Sequence, residues 1–200
     1  MNGEEQMQFN MLNEITKVAA IKATSALSKM LEFPIGVDVV PIETKNLGDI
    51  KNIMQAKEKI VGLSVPIVGL LPGTCLLIYP EKSAFAMCDA MFHRQEGGTQ
   101  TFSEMEISAL SEAANIVVGN FLTSFAIPLQ IESLLHRSVH FNHNEFSRFM
   151  DEISVALSKK IKDGIVVEIA FHFQNIKIQG IAIFLFDEKN LLNLIKKVNA

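Results

Sequence analysis

The sequence predicts an α+β fold in which one unit is written twice. Strands from both halves share a mainly antiparallel sheet, and two long helices lie on one side of it. Three observations lead there. Each half opens on a long stretch with apolar residues at helical spacing. Each half also carries two apolar runs across a turn, followed by a short closing helix. Corresponding residues keep fixed offsets: Glu112 lies 98 residues after Glu14, and Asn115 lies 98 after Lys17. Further on, Phe186-Asp187-Glu188-Lys189 repeats Tyr79-Pro80-Glu81-Lys82 at an offset of 107. The nine-residue change fits a longer loop and helix in the second half. Repetition on this scale implies a pseudo-two-fold pair within one domain over 1–200, with repeats at about 1–96 and 99–200. Strand order is left open.

The elements follow in order. From about Glu4 to Leu31, Phe9, Leu12, Ala19, Ala23 and Leu27 recur at helix-like spacing. A strand is expected over Ile35 to Ile42, with Ile35, Val37 and Val39 alternating around Gly36 and Asp38. Lys45 to Lys57 has the pattern of a short amphipathic helix. Ile60 to Val68 and Thr74 to Tyr79 form a hairpin across Leu70-Leu71-Pro72-Gly73, and Glu81 to Phe92 closes the unit as a helix. Gln95-Glu96-Gly97-Gly98-Thr99 is the break in composition. After it, Ser103 with Glu106 three residues later signals a capping box, and the helix it starts runs to about Phe125. The second half continues with an extended stretch, Leu129 to Phe141, and a helix, Glu145 to Lys160. Its hairpin pairs Ile165 to Phe173 with Lys177 to Phe186, and Leu191 to Val198 closes it.

Composition excludes several classes. A chain of 200 residues with 48% hydrophobic and 20% charged residues is globular and can bury a sizeable core. A net charge of -4 and a pI near 5.7 argue against nucleic acid, which asks for a basic stripe. The densest basic clusters, Lys159, Lys160, Lys162 and Lys196, Lys197, read as solvated helix ends. Mean hydropathy is +0.25, so a membrane span has to be considered. Its best candidates, Ile60 to Leu71 and Ile176 to Phe186, are interrupted and fall short of the ~20 apolar residues a spanning helix needs. The apolar excess therefore belongs to buried strands. Met1-Asn2-Gly3-Glu4-Glu5 is acidic and unlike a signal sequence. Cys75 and Cys88 have no metal-ligand spacing and suit reduced thiols, so a cytoplasmic location is expected.

The second long helix carries the chemistry. At 100° per residue, Ile107, Leu110, Ala114, Val117, Phe121 and Phe125 share an arc of about 80° and form the buried stripe. Glu104, Ser108, Glu112, Asn115 and Gly119 fall within about 80° on the opposite side. Glu112 and Asn115 are thus neighbours at i and i+3, with Ser108 one turn before and Gly119 one turn after. Polar residues on an outer helix face are ordinarily just solvated. Here a mid-helix Gly costs roughly 1 kcal/mol against Ala, and Asn is a poor helix-interior residue. Neither serves the helix itself.

Ser108-x-x-x-Glu112-x-x-Asn115, preceded by Met105-Glu106-Ile107 and followed by Gly119, resembles the Asp/Ser-x3-Glu-x2-Asn signature of the CheC, CheX and FliY phosphatase family. The duplicated layout is similar too, so the resemblance spans essentially the whole chain and implies a CheC-like fold. It implies a phosphatase acting on the aspartyl phosphate of a phosphorylated CheY-like receiver in chemotaxis signalling. The chain itself would hold no cofactor or metal, and Mg²⁺ would sit on the receiver. A carboxamide suits such a site because it offers donor and acceptor and stays neutral beside a dianionic phosphoryl group. Asn115 is then the residue that orients the attacking water, and Glu112 pairs with a receiver lysine to anchor the helix. Ser108 and Gly119 support them.

The chain also departs from the family pattern. The first-half counterpart reads Asn10-x-x-x-Glu14-x-x-Lys17, with Ile21 where Gly119 stands, so that half is read as a degenerate site with an i, i+3 ion pair. Leu134-Leu135-His136-Arg137-Ser138 lacks the proline of the family pattern. No extra domain of the FliN kind is expected after Ala200, so the resemblance is to CheC rather than FliY. The competing reading is a non-catalytic adaptor that binds CheD or a flagellar switch component, and CheD is a candidate partner under either reading. His136, His140 and His143 invite a metal reading but lack acidic or Cys partners at ligand spacing. No phosphate-binding loop or nucleophile elbow is present.

Overall fold

The apolar runs become the strands of one antiparallel sheet. The computed structural model describes residues 3–41, 43–45, 47–157, 164–173 and 178–198. In the first half α1 (Gly3–Leu31) leads to β1 (Ile35–Val39), β2 (Glu43–Lys45) and α2 (Leu47–Ile50), then to β3 (Lys59–Gly69), β4 (Gly73–Pro80) and α3 (Glu81–Met91). In the second, α4 (Glu104–Ala126) leads to β5 (Leu134–His136), β6 (His140–Glu145) and α5 (Phe146–Leu157), then to β7 (Gly164–Phe173), β8 (Gln179–Asp187) and α6 (Glu188–Val198). The strand order is β1-β7-β8-β4-β3-β5, with β2 also on β7 and β6 also on β3.

That order is pseudo-two-fold symmetric. Strands β4 and β8 meet at the centre, flanked by their hairpin partners β3 and β7. Each half's first strands then cross to the far edge of the other half's hairpin. Val37 pairs with Phe171 across β1 and β7, and His136 pairs with Ile67 across β5 and β3. Lys45 meets Gly164 and Glu145 meets Lys59 in the same relation. The repeated tetrapeptides mark the same junction twice, since β4 ends at Pro80 before α3 and β8 ends at Asp187 before α6.

Both faces of the sheet are covered, which explains the near-continuous hydrophobicity of the strands. On one face Val61, Leu63, Val65, Cys75, Leu77, Tyr79, Phe184 and Phe186 pack with α1, α3, α4 and α6. On the other, Ile60, Leu76, Ile78, Ile183 and Leu185 pack beneath α5 through Phe146, Phe149, Met150 and Ile153. Successive residues of one strand thus feed two cores, as the period of two requires.

Four phenylalanines fix α4 to the centre of the sheet. The Phe121 ring stacks on Phe184 with centroids 3.7 Å apart, and Phe125 on Phe186 at 5.5 Å. Buried alanines on both helices, Ala19, Ala20 and Ala23 of α1 with Ala113 and Ala114 of α4, let the two pack closely on the same side.

Several expectations need correction. Lys45–Lys57 is not one helix: Lys45 ends β2, and α2 is a single turn. Beyond it the chain bonds three residues back, Lys51 to Gly48, Asn52 to Asp49 and Ile53 to Ile50, so the α-ladder does not propagate. A cavity of about 460 Å³ lined by Ile53, Met54, Ile78 and Ile181 lies beside this segment. The extended stretch Leu129 to Phe141 is strand only at 134–136 and from 140. At the β3–β4 turn Gly69 adopts φ 118°, and a Cβ there would collide with the Ser133 carbonyl oxygen. Ile42, the end of the expected helix to Lys160, the Lys159, Lys160, Lys162 cluster and the start of the strand at Lys177 lie outside the described residues.

Phe184→Ala is expected to cost about 3–5 kcal/mol, because it removes a fully buried ring and leaves a cavity under α4. Urea unfolding followed by circular dichroism measures this; a loss below about 1 kcal/mol would contradict the anchoring role.

Candidate functional site

The site helix begins with a locked N-terminus. The expected capping box is present: the Ser103 backbone N–H donates to Glu106 Oε2 at 3.0 Å, and the Ser103 hydroxyl takes part from the other side. Arg94 reaches in from the preceding loop, its guanidinium 2.8 Å from Glu106 Oε1 and 2.9 Å from Thr99 Oγ1. Asp89, buried at the end of α3, accepts from the backbone N–H groups of Gly97 and Thr99. The connection between the halves is therefore tied at both ends by carboxylates. Hydrogen bonds from Ser103 and then Arg94 hold the Glu106 carboxyl at about 2, against an ordinary 4.5.

The outer face of α4 follows the helical wheel. Leu110, Ala114, Val117, Phe121 and Phe125 are buried, while Ile107 in the first turn is half-buried. Ser108 and Glu112 are exposed, and Asn115 and Gly119 are half-buried at the same surface. Asn115 Nδ2 donates to Glu112 Oε2 at 3.4 Å, so the two side chains form one polar unit across a helical turn. The amide oxygen of Asn115 points away from that bond, which leaves donor and acceptor chemistry on a carboxamide beside a carboxylate. Exposed Met105, two turns before Glu112, adds an apolar contact to this face.

The equivalent face of α1 is different. Lys17 Nζ lies 2.7 Å from Glu14 Oε1, the i, i+3 ion pair the spacing predicts, with both side chains largely exposed. Asn10 stands one turn before, hydrogen-bonded to Gln6. Ile21 is exposed where α4 has Gly119.

The overall architecture and this helix face both have counterparts among known proteins. Thermotoga maritima FliY superposes with a TM-score of 0.75 at 19% identity, covering 100% of this chain and 98% of that one. Residues 105–130, which contain the whole outer face from Ser108 to Gly119, match the model of the CheC-like family. Over this segment the chain is similar to the CheC-like family. A curated relative from Halobacterium salinarum, named "Putative CheY-P phosphatase CheC1", is 24% identical over 115 residues, 58% of this chain and 58% of the relative. The FliM middle domain from H. pylori has the same fold, with a TM-score of 0.66 at 11% identity and coverage of 98% and 99%.

The three histidines of the second half go to separate places. His143 Nε2 lies 2.7 Å from Glu81 Oε1 and packs edge-on against Phe102. His140 is exposed at the start of β6. His136 lies on β5 against α4, and a Cβ on Gly119 would stand 3.5 Å from its Nε2. The sequence favours a partly buried or exposed His136 over a metal ligand, and it is half-buried; its place beside Gly119 depends on the β3–β5 register, which the sequence does not show. Among the described residues no group of three His, Cys, Asp or Glu gathers as a metal site. Both cysteines are free and buried, and burial pushes the Cys88 thiol up to about 12. No described helix is long and apolar enough to cross a membrane.

The lowered Glu106 carboxyl gives a pH prediction. Because its folded value lies below the ordinary one, its contribution is present above pH 4.5 and is lost as pH falls through about 2. Glu106→Gln should be less stable at pH 7, and the gap to wild type should close between those limits. Urea midpoints from pH 7 to pH 2 measure it, and a gap that stays constant would contradict the ion-pair assignment.

Proposed function

We propose that this chain is a phosphatase for the aspartyl phosphate of a CheY-like receiver, with one working site on the second-half helix. The observation that carries the reading is the Asn115–Glu112 unit, a surface carboxamide held by a carboxylate one turn away on a rigidly mounted helix. The reading places the chain in the cytoplasm, as a single domain of two repeats.

An acyl phosphate asks little of the enzyme beyond placing water in line with the scissile bond. Water oxygen bonds to phosphorus as the bond from phosphorus to the aspartyl oxygen breaks, and the electron pair leaves with the receiver carboxylate. Asn115 orients that water without bringing charge to the phosphoryl oxygens. Glu112 steadies the Asn115 amide and, through its exposed second oxygen, takes a cationic side chain of the receiver. The Mg²⁺ of the reaction belongs to the receiver in this reading, and no residue of this chain is assigned to it.

A second reading, a non-catalytic adaptor for CheD or a flagellar switch component, is favoured by α1. That helix exposes Met7, Val18 and Ile21 along one side, a surface suited to a protein partner and not to phosphate. The two readings can hold together, one on each helix.

Asn115→Ala should lower turnover of a phosphorylated receiver about 10²-fold, on the scale of losing one oriented polar group at a reacting centre, with receiver affinity little changed. Glu112→Ala should weaken binding as well, by an amount that shrinks at high salt if the contact is at the rim. Glu14→Ala and Lys17→Ala should leave dephosphorylation nearly unchanged. Single-turnover phosphate release and equilibrium binding separate these outcomes; normal turnover in Asn115→Ala would leave the adaptor reading standing alone.

A further inference from the structure

The internal repeat supplies a comparison that no outside sequence can. Register equates β5 with β1: Leu134 sits opposite Gly69 on β3 where Ile35 sits opposite Phe173 on β7, and His136 opposite Ile67 where Val37 sits opposite Phe171. His136 therefore occupies the place of Val37, as Gly119 occupies the place of Ile21 and Asn115 that of Lys17. The three differences fall on one patch. In the half with the carboxamide, the helix gives up a side chain and the neighbouring strand offers an imidazole in its place. In the half with lysine, both positions are branched and apolar.

The contact itself is close. The His136 ring lies against the bare turn of α4 so that its Nε2 stands 3.5 Å from where a Gly119 Cβ would be. An isoleucine at 119 would need the volume the ring now holds. Gly119 is one turn beyond Asn115, so Nε2 continues the polar row that Glu112 and Asn115 begin. The other ring nitrogen is engaged: Nδ1 lies 3.3 Å from the Arg137 carbonyl oxygen, which accepts only from a protonated Nδ1. In the neutral ring Nε2 is then an acceptor, beside Gly119 on the edge strand β5. Glu112 and His136 thus place an acceptor on either side of the Asn115 amide.

We propose that His136 is a specificity-determining residue of this surface, whose Nε2 accepts a hydrogen bond from an N–H or O–H donor of the receiver docked over Asn115. The inference rests on the receiver reading above and deepens it, because it says that the partner must present donors on both sides of its phosphoryl group. Gly119 is the positioning residue that makes the seat for the ring.

Two variants and one spectroscopic probe test this. His136→Phe keeps a ring in the seat and removes Nε2; Gly119→Ile fills the seat and displaces the ring. Both should keep the thermal transition of the folded protein within a few degrees. Each should lower kcat/KM toward a phosphorylated CheY-like receiver about tenfold, the scale of one hydrogen bond, mainly through KM. The double variant should lose no more than either alone. In parallel, the His136 ring signals, assigned by their loss in His136→Phe, are followed by proton–nitrogen correlation as receiver loaded with beryllofluoride is added. Ring signals that move with receiver, in a wild type that releases no phosphate, would sustain the contact and remove the phosphatase reading. A receiver that binds while the ring signals stay fixed and His136→Phe keeps full kcat/KM would overturn the contact and leave the phosphatase reading intact. A receiver that does not bind at all overturns both.

Discussion

The stack of Phe121 and Phe125 on Phe184 and Phe186 is the contact on which the functional surface depends. Its rings belong to α4 and to the central strand β8, and all four are fully buried. Flat rings in register resist both sliding and rolling of the helix, and rolling is the motion that matters. A helix places one residue every 100°, so a modest rotation would carry Asn115 off the surface or turn Glu112 away from it. The alanines between α1 and α4 add closeness without bulk, and the capping box with Arg94 holds the other end. Asn115 lies between two fixed points.

Much of this was legible in the sequence because it follows from short-range periodicities. The buried stripe of α4, the capping box, both hairpins and the Glu14–Lys17 pair all depend on spacings of two to four residues, and the structure reproduces each, with Ile107 at the start of the stripe only half-buried. The stretch Lys45–Lys57 misled because amphipathic spacing does not guarantee that the ladder continues past one turn, and Gly48 and Asn52 are poor propagators. Strand order was out of reach for a different reason. The offsets between halves reveal that a unit is repeated, but many arrangements of two units share the same offsets. The seat of His136 was hidden by the same gap, since it exists only once β5 is laid on β3.

The two halves have drifted apart on the helices while the sheet has kept its symmetry. On the front, the α4 face is carboxamide, glycine and imidazole, and the α1 face is an ion pair among exposed apolar residues. On the back, the second half supplies a full amphipathic helix, α5, over β3 and the central strands, whereas the first half supplies only the single turn of α2. Divergence has thus been concentrated in the layers outside the sheet and at its β5 edge, where His136 replaces Val37. Inside it, each pleat face is shared by both halves, so a change in either strand set is felt in a common core.

The crossing of the first strands has a consequence for how such a chain can evolve. Strand β5, which follows the α4 helix, finds its hydrogen-bonding partner in β3 of the opposite half, and β1 finds its own in β7. Each repeat is therefore the other's chaperone in the literal sense of completing its sheet edge. Once a duplicated gene folds in this interleaved way, loss of a working surface on one copy no longer makes that copy dispensable. The half whose helix carries the Glu14–Lys17 pair is retained as scaffold, and contacts on α1 can change at little risk to the surface on α4. The geometry converts a redundant duplicate into a permanent structural partner, and gives selection two helix faces that can be tuned separately on one inseparable frame.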